Sequence, residues 1–160
     1  MDADLVKTAL DTALAKLAAE HVALFTNDAN ERSLTHWLAV LLGPHFPGWD
    51  VDCEYNRQGA HPKRVIVASN NVPATDVDAQ TVYPDIIVHH RNTTLNLLVI
   101  EAKKTNRRAS VVNDEDKLAA YTLPQSEGGL GYPFAAQVLF AVGPEQAAAR
   151  LHRWFQRSGV

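Results

Sequence analysis

The chain has 160 residues, of which 46% are hydrophobic, and its 15 basic and 18 acidic residues give a formal net charge of −3. This length and apolar fraction favour one folded domain over residues 1–160 and argue against a disordered chain. The charge excludes a protein that coats nucleic acid through its overall field, so any site for an anionic partner must be local.

Cysteine content and the first residues bear on the compartment. Cys53 is the single cysteine, which excludes a disulfide framework and a zinc site of several thiolates within the chain and suits a reducing cytoplasm. The N-terminus is acidic and amphipathic, so we expect no secretory signal. No apolar run approaches the roughly 18 residues of a membrane span, so the membrane is not an expected partner.

Hydrophobic periodicity, caps and breakers predict the elements in chain order. They are helices at 4–25 and 31–42, a strand at 51–57, a long loop at 58–81 around a short strand at "RVIVA", strands at 82–89 and 95–103, a helix from Asn113 to near Leu123, a strand at 134–142 and a last helix after Pro144. The strand at 134–142 is too apolar for an exposed face and should be central. The order predicts an α/β fold in which helices pack on a small mixed sheet.

Charged residues stand in the two strands that otherwise look most buried, in the stretch "YPDIIVHHRNTTLNLLVIEAKK". Because alternate side chains of a strand share a face, Glu101 and Lys103 point the same way. A symmetric turn centred near residue 93 places Asp85 opposite Glu101, with Cβ atoms roughly 5 Å apart. The sequence therefore predicts two carboxylates and a lysine on one face of a hairpin.

Two carboxylates so close repel each other. At 4 Å the cost is about 4 kcal/mol at an effective dielectric constant near 20. A divalent cation would offset this repulsion, and hard oxygen ligands at that spacing suit Mg²⁺ or Mn²⁺. The alternative is a salt bridge with Lys103 on a solvated sheet face, which the apolar neighbours in both strands disfavour.

The same residues resemble a known motif. "PD" at Pro84 and Asp85, followed after a short hairpin by "EAK" at Glu101, Ala102 and Lys103, resembles the signature of the PD-(D/E)XK nuclease superfamily. The chain also resembles the small nuclease domain at the start of type I restriction motor subunits, although it has no motor region.

The resemblance implies a fold, a reaction and a partner. The fold would be a restriction-endonuclease-like α-β-β-β-α-β core, which matches the predicted order from residue 31 to residue 142, with an extra helix at each end. The reaction would be hydrolysis of phosphodiester bonds, in DNA, by water that Mg²⁺ or Mn²⁺ activates. Specificity would come from a homodimer, a partner protein or the structure of the DNA.

The resemblance also implies roles for single residues. Asp85 and Glu101 would bind the metal, and the carbonyl of Ala102 would complete its shell. Lys103 would position or activate the attacking water, as a lysine in the field of a metal can. Many members of the superfamily add an acidic residue from the first core helix, and Glu31 matches that place best.

Several residues near the motif have alternative interpretations. Glu31 and Asp28 could instead form a capping box at the start of the helix. Glu54 is the rival third acid, and we favour the solvated face of an alternating strand for it. Tyr121 could reach the cleft, but a place at the edge of the core is commoner. His89 shares the parity of Asp85, and zinc is not expected because no third ligand stands at a useful spacing.

Basic residues cluster beside the motif. Lys104, Arg107 and Arg108 follow it directly, and Lys63 and Arg64 form a weaker cluster in the long loop. Contact with nucleic-acid phosphates is the functional interpretation, and a solvated basic loop is the alternative. For the whole chain the alternative is a catalytically silent nucleic-acid-binding or assembly module on a nuclease-like scaffold. Hydrolysis of mononucleotides or of another phosphate ester is a more distant one.

Overall fold

The computed structural model describes the backbone of residues 1–58, 61–62, 64–65, 80–81, 83–106 and 111–157, and the side chains of 1–57, 83–106 and 116–157. Within these ranges the α-helices are α1 Ala3–Glu20, α2 Val22–Thr26, α3 Glu31–Leu42 and α4 Val111–Thr122. The strands there are β1 Asp50–Cys53, β2 Arg57–Gln58, β3 His61–Pro62, β4 Arg64–Val65, β5 Gln80–Thr81, β6 Ile86–His89, β7 Asn96–Lys104, β8 Phe134–Gly143 and β9 Gln146–Gln156. None of the helices in the described part of the chain combines the length and the apolar character that crossing a membrane requires.

Five of the described strands form one mixed sheet in the order β1-β6-β7-β8-β9. β6 is antiparallel to β1 and β7, β8 runs parallel to β7, and β9 returns antiparallel to β8. β8 therefore lies inside the sheet, as its apolar run predicted, and the predicted α/β class is confirmed. β2 pairs with β3 and β4 with β5 as separate two-residue ladders.

Each face of the sheet carries its own hydrophobic core. The α1 core, under helices α1 to α3, includes Leu98, Ile100 and Ala102 of β7. The α4 core, under helix α4, includes Ile87 and Val99. Because alternate side chains of a strand point to opposite faces, the even-numbered residues of β7 from Leu98 onward point to the α1 core. The odd-numbered ones point to the α4 side, and this sets the direction of each charged side chain at the end of β7.

Helix α3 begins where the sequence supplies a cap. The side chain of Asn30 accepts a hydrogen bond from the N–H of Ser33 at 2.8 Å, which is the usual role of an N-cap residue. Leu34 and Leu38 then recur at helical spacing and are fully buried in the α1 core. α3 thus spans the predicted residues, and its first residue, Glu31, starts next to the sheet.

Three predicted boundaries need correction. The strand predicted at 82–89 begins only at Ile86, as β6, and the described residues 83–85 precede it. The first predicted helix is interrupted at His21, where α1 gives way to α2. The first predicted strand ends at Cys53, because Glu54 has a left-handed backbone with φ of +50°, which a continuing strand cannot have. Of the predicted strand at "RVIVA", only Arg64–Val65 lies within the described residues, where it forms β4.

The last predicted element is wrong, because a strand and not a helix follows Pro144. Gly143 pairs with Gln146, so Pro144 and Glu145 form the two-residue turn of a hairpin. Gly143 has a φ of +142°, in a region that favours glycine. The fixed φ of proline suits the second position of a type I or type II turn as well as it suits the first turn of a helix.

The residues of β9 carry two periodicities at once. Ala148, Leu151 and Phe155 have helical spacing, which is the basis of the prediction. Ala147, Ala149 and Leu151 also recur at every second position and pack against the α1 core. The strand is formed because it pairs the edge of β8 along its whole length, and such tertiary pairing overrides local propensity.

Candidate active site

The β6–β7 hairpin has the register that the sequence predicted. Ile86 faces Ile100, a pair placed symmetrically about residue 93. A bulge shifts the register only after Val88, on the turn side of the hairpin. Asp85 directly precedes β6 and is therefore level with Glu101.

The Asp85 carboxylate bonds to the edge of β7 where β6 has ended. Its Oδ2 accepts a hydrogen bond from the N–H of Ala102 at 2.8 Å. In an antiparallel ladder a carbonyl of the neighbouring strand would accept from that N–H, but the ladder of β6 begins at Ile86. The carbonyl of Asp85 accepts from the N–H of Glu54 at 3.2 Å, which ties the end of β1 to the same point.

Glu31 reaches the same edge of β7 from α3. Its Oε2 accepts a hydrogen bond from the N–H of Lys104 at 3.1 Å, two residues beyond the N–H that Asp85 holds. Asn30 rather than Asp28 caps the helix, so the capping-box alternative for Glu31 is not what the structure has. Two acidic side chains, from distant parts of the chain, thus meet the end of one strand.

Glu101 completes an acidic cluster of Asp85, Glu101 and Glu31. Its side chain lies on the α4 side of β7 and is only 4% exposed. Its Oε1 accepts a hydrogen bond from the hydroxyl of Tyr121 at 3.1 Å. Burial, and then the charge of Glu101, raise the pKa of Tyr121 far above its ordinary value, so the phenol stays protonated. Gln137, which is fully buried, is the partner of Glu101 on β8.

Burial and the neighbouring charged and polar groups shift the pKa of the Asp85 carboxyl group. Burial is the largest cause that raises its pKa, and the charge of Glu31 also raises it. The N–H of Ala102, the charge of Lys103 and a hydrogen bond with Glu101 act in the opposite direction. The net shift of the pKa is upward.

The donors of the acidic cluster are hard oxygens, but they are engaged within the protein. Asp85 and Glu31 accept from backbone N–H groups, and Glu101 accepts from Tyr121. Among the described residues, no group of three or more His, Cys, Asp or Glu side chains is arranged to hold a metal ion. The arrangement therefore brings metal-type ligands together without the geometry of a finished metal site.

Lys103 and Lys104 are neighbours that point to opposite faces of β7. Lys103 is half-buried on the α4 side, and its charge lowers the pKa of Asp85. Lys104 is 3% exposed, and its ammonium group donates to the carbonyls of Ala29 at 2.8 Å and Asp28 at 3.2 Å. It also forms an ion pair with the carboxylate of Asp28. The prediction that Lys104 contacts an external phosphate is corrected accordingly, since its charge is used to hold the turn before α3.

The other predicted site residues lie elsewhere. Glu54 forms an ion pair with Arg32 at 2.9 Å, with about half of the glutamate side chain exposed. Arg64 belongs to β4, where only the backbone is described. Outside the described residues lie Lys63, Arg107 and Arg108.

A second charged cluster, which the motif spacing does not predict, lies at the turn end of β6. Asp52 accepts a hydrogen bond from Nε of Arg91 at 2.8 Å and lies 2.9 Å from Nε2 of the buried His89. The N–H of Arg91 donates to Asp50 at 2.9 Å. Burial works to raise the pKa of Asp52, but its hydrogen bonds with Arg91 and His89 outweigh burial and lower it. Aspartates at alternate positions of β1 are the only sequence signal for this turn-end cluster of Asp50, Asp52, His89 and Arg91.

Comparison of the chain with protein-family models, with curated proteins and with solved structures found no match. The resemblance to a nuclease motif therefore rests on the residues of this chain and on their placement.

Proposed function

We propose that this protein is a metal-dependent nuclease that hydrolyses phosphodiester bonds, with DNA as its substrate. The observation that carries the proposal is the meeting of Asp85 and Glu101 at the end of the β6–β7 hairpin. Glu31 reaches the same place from α3, and Lys103 lies beside it on the α4 side. We also propose that the protein works in the cytoplasm.

The negative charge of the acidic cluster supports the proposal that it binds a cation. Carboxylates a few ångströms apart repel by several kcal/mol unless they share a proton or a cation. Burial, and then the charge of Glu31, raise the pKa of Asp85, which shows that the negative charge at this place is unfavourable without a compensating cation. Carboxylate and carbonyl oxygens are the ligands that Mg²⁺ and Mn²⁺ prefer.

The residues around the cluster fit the proposed roles. Asp85, Glu101 and Glu31 would hold the divalent ion. The N–H of Ala102 points to Asp85, and because a strand residue directs its N–H and C=O to the same side, the carbonyl of Ala102 faces the same edge. When bound, the ion would lower the pKa of a water molecule and stabilise charge on the phosphate. Lys103 would orient that water and contribute positive charge.

The order of elements also supports a restriction-endonuclease-like core. α3, β1, β6, β7, α4 and β8 follow one another as helix, three sheet strands, helix and strand. β9 extends the sheet at the place where an additional helix was predicted. We assign the chain to this topology as part of the proposal.

A second candidate is a catalytically silent module on the same scaffold, which the internal hydrogen bonds favour. Each acid has a partner inside the protein: the N–H of Ala102 for Asp85, the N–H of Lys104 for Glu31, and Tyr121 for Glu101. A fold can keep such a polar network without the activity. Metal binding separates the two candidates.

The first experiment is a cleavage assay with Mg²⁺ or Mn²⁺ on supercoiled plasmid, linear duplex, single-stranded DNA, branched DNA and RNA. The wild type is compared with Lys103→Met and with the control Lys16→Met. Lys16 is an exposed lysine of α1, ion-paired with Glu20 at 3.8 Å. We expect cleavage by the wild type and the control, and loss of cleavage in Lys103→Met. Cleavage by Lys103→Met at the wild-type rate would rule out the proposed active site.

Calorimetric titration with Mn²⁺ distinguishes the second candidate. A nuclease site should bind the ion in the wild type and lose that binding in Asp85→Ala. If neither protein binds Mn²⁺ and no substrate is cut, the silent module is the better description.

A further inference from the structure

The exposed arginines of β9 raise the question of where a substrate's backbone would lie. Lys104 is committed to the turn before α3, so the basic residue predicted nearest the motif faces the wrong way. We propose that Arg150 and Arg153 of β9 form the surface that contacts the phosphate backbone of the nucleic acid leading away from the acidic cluster. This proposal rests on the proposed function for the position of the cut, but contact between phosphate and arginine does not itself require cleavage.

The register of the sheet places both arginines in line with the candidate site. Lys103 faces Leu139 of β8, and Leu139 faces Arg150 of β9. Two residues earlier in β7, Glu101 faces Gln137 of β8, and Gln137 faces Arg153 of β9. Two rows therefore cross the sheet from β7 to β9, and each ends in an arginine.

Both arginines point to the face of the sheet that carries Glu101 and Lys103. On β9, Ala149, Leu151 and Trp154 pack against the α1 core, whereas Phe155 packs against the α4 core. Arg150 pairs with Leu139 and Arg153 pairs with Gln137, and these odd-numbered residues of β8 point to the α4 side with Ala135. Residues that face each other on neighbouring strands share a face of the sheet, so both arginines leave the backbone on the side that carries the acidic cluster. Arg153, on the edge strand, also lines a groove with Lys7 and Asp11 of α1.

A bulge makes this arrangement possible. Residues 150 and 153 differ by an odd number, and in a regular strand they would point to opposite faces. The register shifts between Gln137 and Val138, so that β9 has one extra residue, His152, opposite them. Because a bulge inserts one residue into a strand, it brings the two arginines onto one face. Bulges commonly re-aim side chains next to active sites.

The spacing of the row fits a nucleic-acid strand. Neighbouring strands of a sheet lie about 4.8 Å apart, so the backbones of Lys103 and Arg150 are separated by about 10 Å. Phosphates of one strand advance about 3.4 Å per nucleotide along the axis of a duplex and lie farther apart in space because the strand winds around that axis. If the cut lies beside Lys103, the side chain of Arg150 would reach a phosphate within a few nucleotides of the cut.

The charge and the neighbours of Arg150 also suit an anionic backbone. Arg150 and Arg153 are exposed, and the described residues provide no ion-pair partner for Arg150. On the same face the next pair along the strands is Ala141 with Ala148, two small side chains that leave the surface open. The overall negative charge makes such a local patch the expected way to bind a polyanion.

The test is fluorescence anisotropy with a short labelled duplex and the matching single strand, in EDTA and at several salt concentrations. Arg150→Gln should weaken duplex binding about eightfold at 0.1 M salt and lower the salt slope by about one, since each phosphate contact contributes about 0.9 to that slope. Arg150→Glu should weaken binding further, and Arg153→Gln should weaken it less than Arg150→Gln because Arg153 also borders Lys7 and Asp11 of α1. The matched charge reversal Lys16→Glu, on α1 over the opposite face, should leave binding unchanged.

Each outcome decides the proposal. Binding by Arg150→Glu equal to that of the wild type, or an equal loss in Lys16→Glu, would overturn it, as would a wild type that binds neither probe. If Arg150→Glu changes the sedimentation of the protein and leaves DNA affinity unchanged, the surface pairs two copies of the chain and the proposal is wrong. Because the assay contains no metal, loss of affinity in Arg150→Glu would stand even if Asp85 proved unnecessary for cleavage. Cleavage that needs Asp85 but is indifferent to Arg150 would leave only the proposed function.

Discussion

The two ends of strand β6 gather charge in opposite ways. At the turn end, Asp52 is neutralised by Arg91 and lies beside His89. At the other end, Asp85 stands with Glu101 and is raised in pKa by burial and by the charge of Glu31. One cluster pairs unlike charges, and the other concentrates like charges at a buried strand end.

The difference separates a structural cluster from a candidate functional one. Asp52 has a lowered pKa because its hydrogen bonds outweigh burial, so its charged form stabilises the fold. Asp85 has a raised pKa, so its charged form costs stability at neutral pH. Proteins keep such local conflicts mainly where function requires them, and the acidic cluster is therefore the place to expect chemistry.

The largest effect should come from Asp85→Asn, which keeps an oxygen for the N–H of Ala102 but removes the charge. We expect cleavage to fall about 10³-fold or more, because a metal site contributes several kcal/mol to the transition state and 1.36 kcal/mol is tenfold. The free energy of unfolding of the metal-free protein should rise by about 1 kcal/mol. Urea denaturation in EDTA beside the cleavage assay measures both, and a destabilised variant would contradict the contrast between the clusters.

The next effect compares the two adjacent lysines. Lys104→Met removes the cation that holds Asp28 and the carbonyl of Ala29. Breaking a buried ion pair costs about 3–5 kcal/mol. Because the side chain of Asp28 is half exposed, we expect the lower end of that range, a loss of about 3 kcal/mol in the free energy of unfolding. Lys103→Met should cost less than about 1 kcal/mol yet abolish cleavage. Similar stability losses in both variants would mean that Lys103 is also a structural residue.

Local rules of strand geometry were enough to predict the hairpin. Asp85 and Glu101 lie one residue beyond a regular ladder with a short turn, so symmetry and alternation placed them correctly. The alternation of side chains along a strand also predicts that Lys104 points to the face opposite to that of Lys103. The prediction of a phosphate contact followed position along the chain and overlooked the face of the strand.

Contacts that depend on long-range packing do not follow from these local rules of strand geometry. Glu31 and Lys104 are 73 residues apart, and only their docking shows which of two roles Glu31 has. The hydroxyl of Tyr121 finds Glu101 because α4 packs across the sheet. The sequence of β9 predicts a helix because its residues fit the helical period as well as the strand period. Only pairing with the edge of β8 decides between a helix and a strand.

The turn-end cluster predicts a pH-dependent loss of stability. Asp52→Asn should lower the free energy of unfolding by about 1–2 kcal/mol at pH 7, less than a fully buried charged hydrogen bond because the side chain of Arg91 is half exposed. A carboxyl whose pKa is lowered by folding stabilises the protein above its unfolded pKa of about 3.9, and loses this effect as pH falls through its folded value. Wild type and variant should therefore converge as the pH drops below about 3.9. A constant difference across this window would show that packing, and not charge, is what the substitution removes.

The smallest effect should come from Glu54, an exposed acid whose backbone N–H donates to the carbonyl of Asp85. Its ion pair with Arg32 lies at the surface, where such pairs contribute about 0.5 kcal/mol. Glu54→Gln should therefore change the unfolding free energy by no more than that amount, and cleavage by less than about twofold. Glu31→Gln should lower cleavage at least tenfold, because Glu31 and not Glu54 reaches the end of β7. Parallel cleavage assays of the two variants decide which acid belongs to the cluster. If Glu54→Gln lowers cleavage more than Glu31→Gln, the third carboxylate comes from the residue that follows β1. The hydrogen bond between Glu31 and Lys104 would then be a purely structural link between α3 and the sheet.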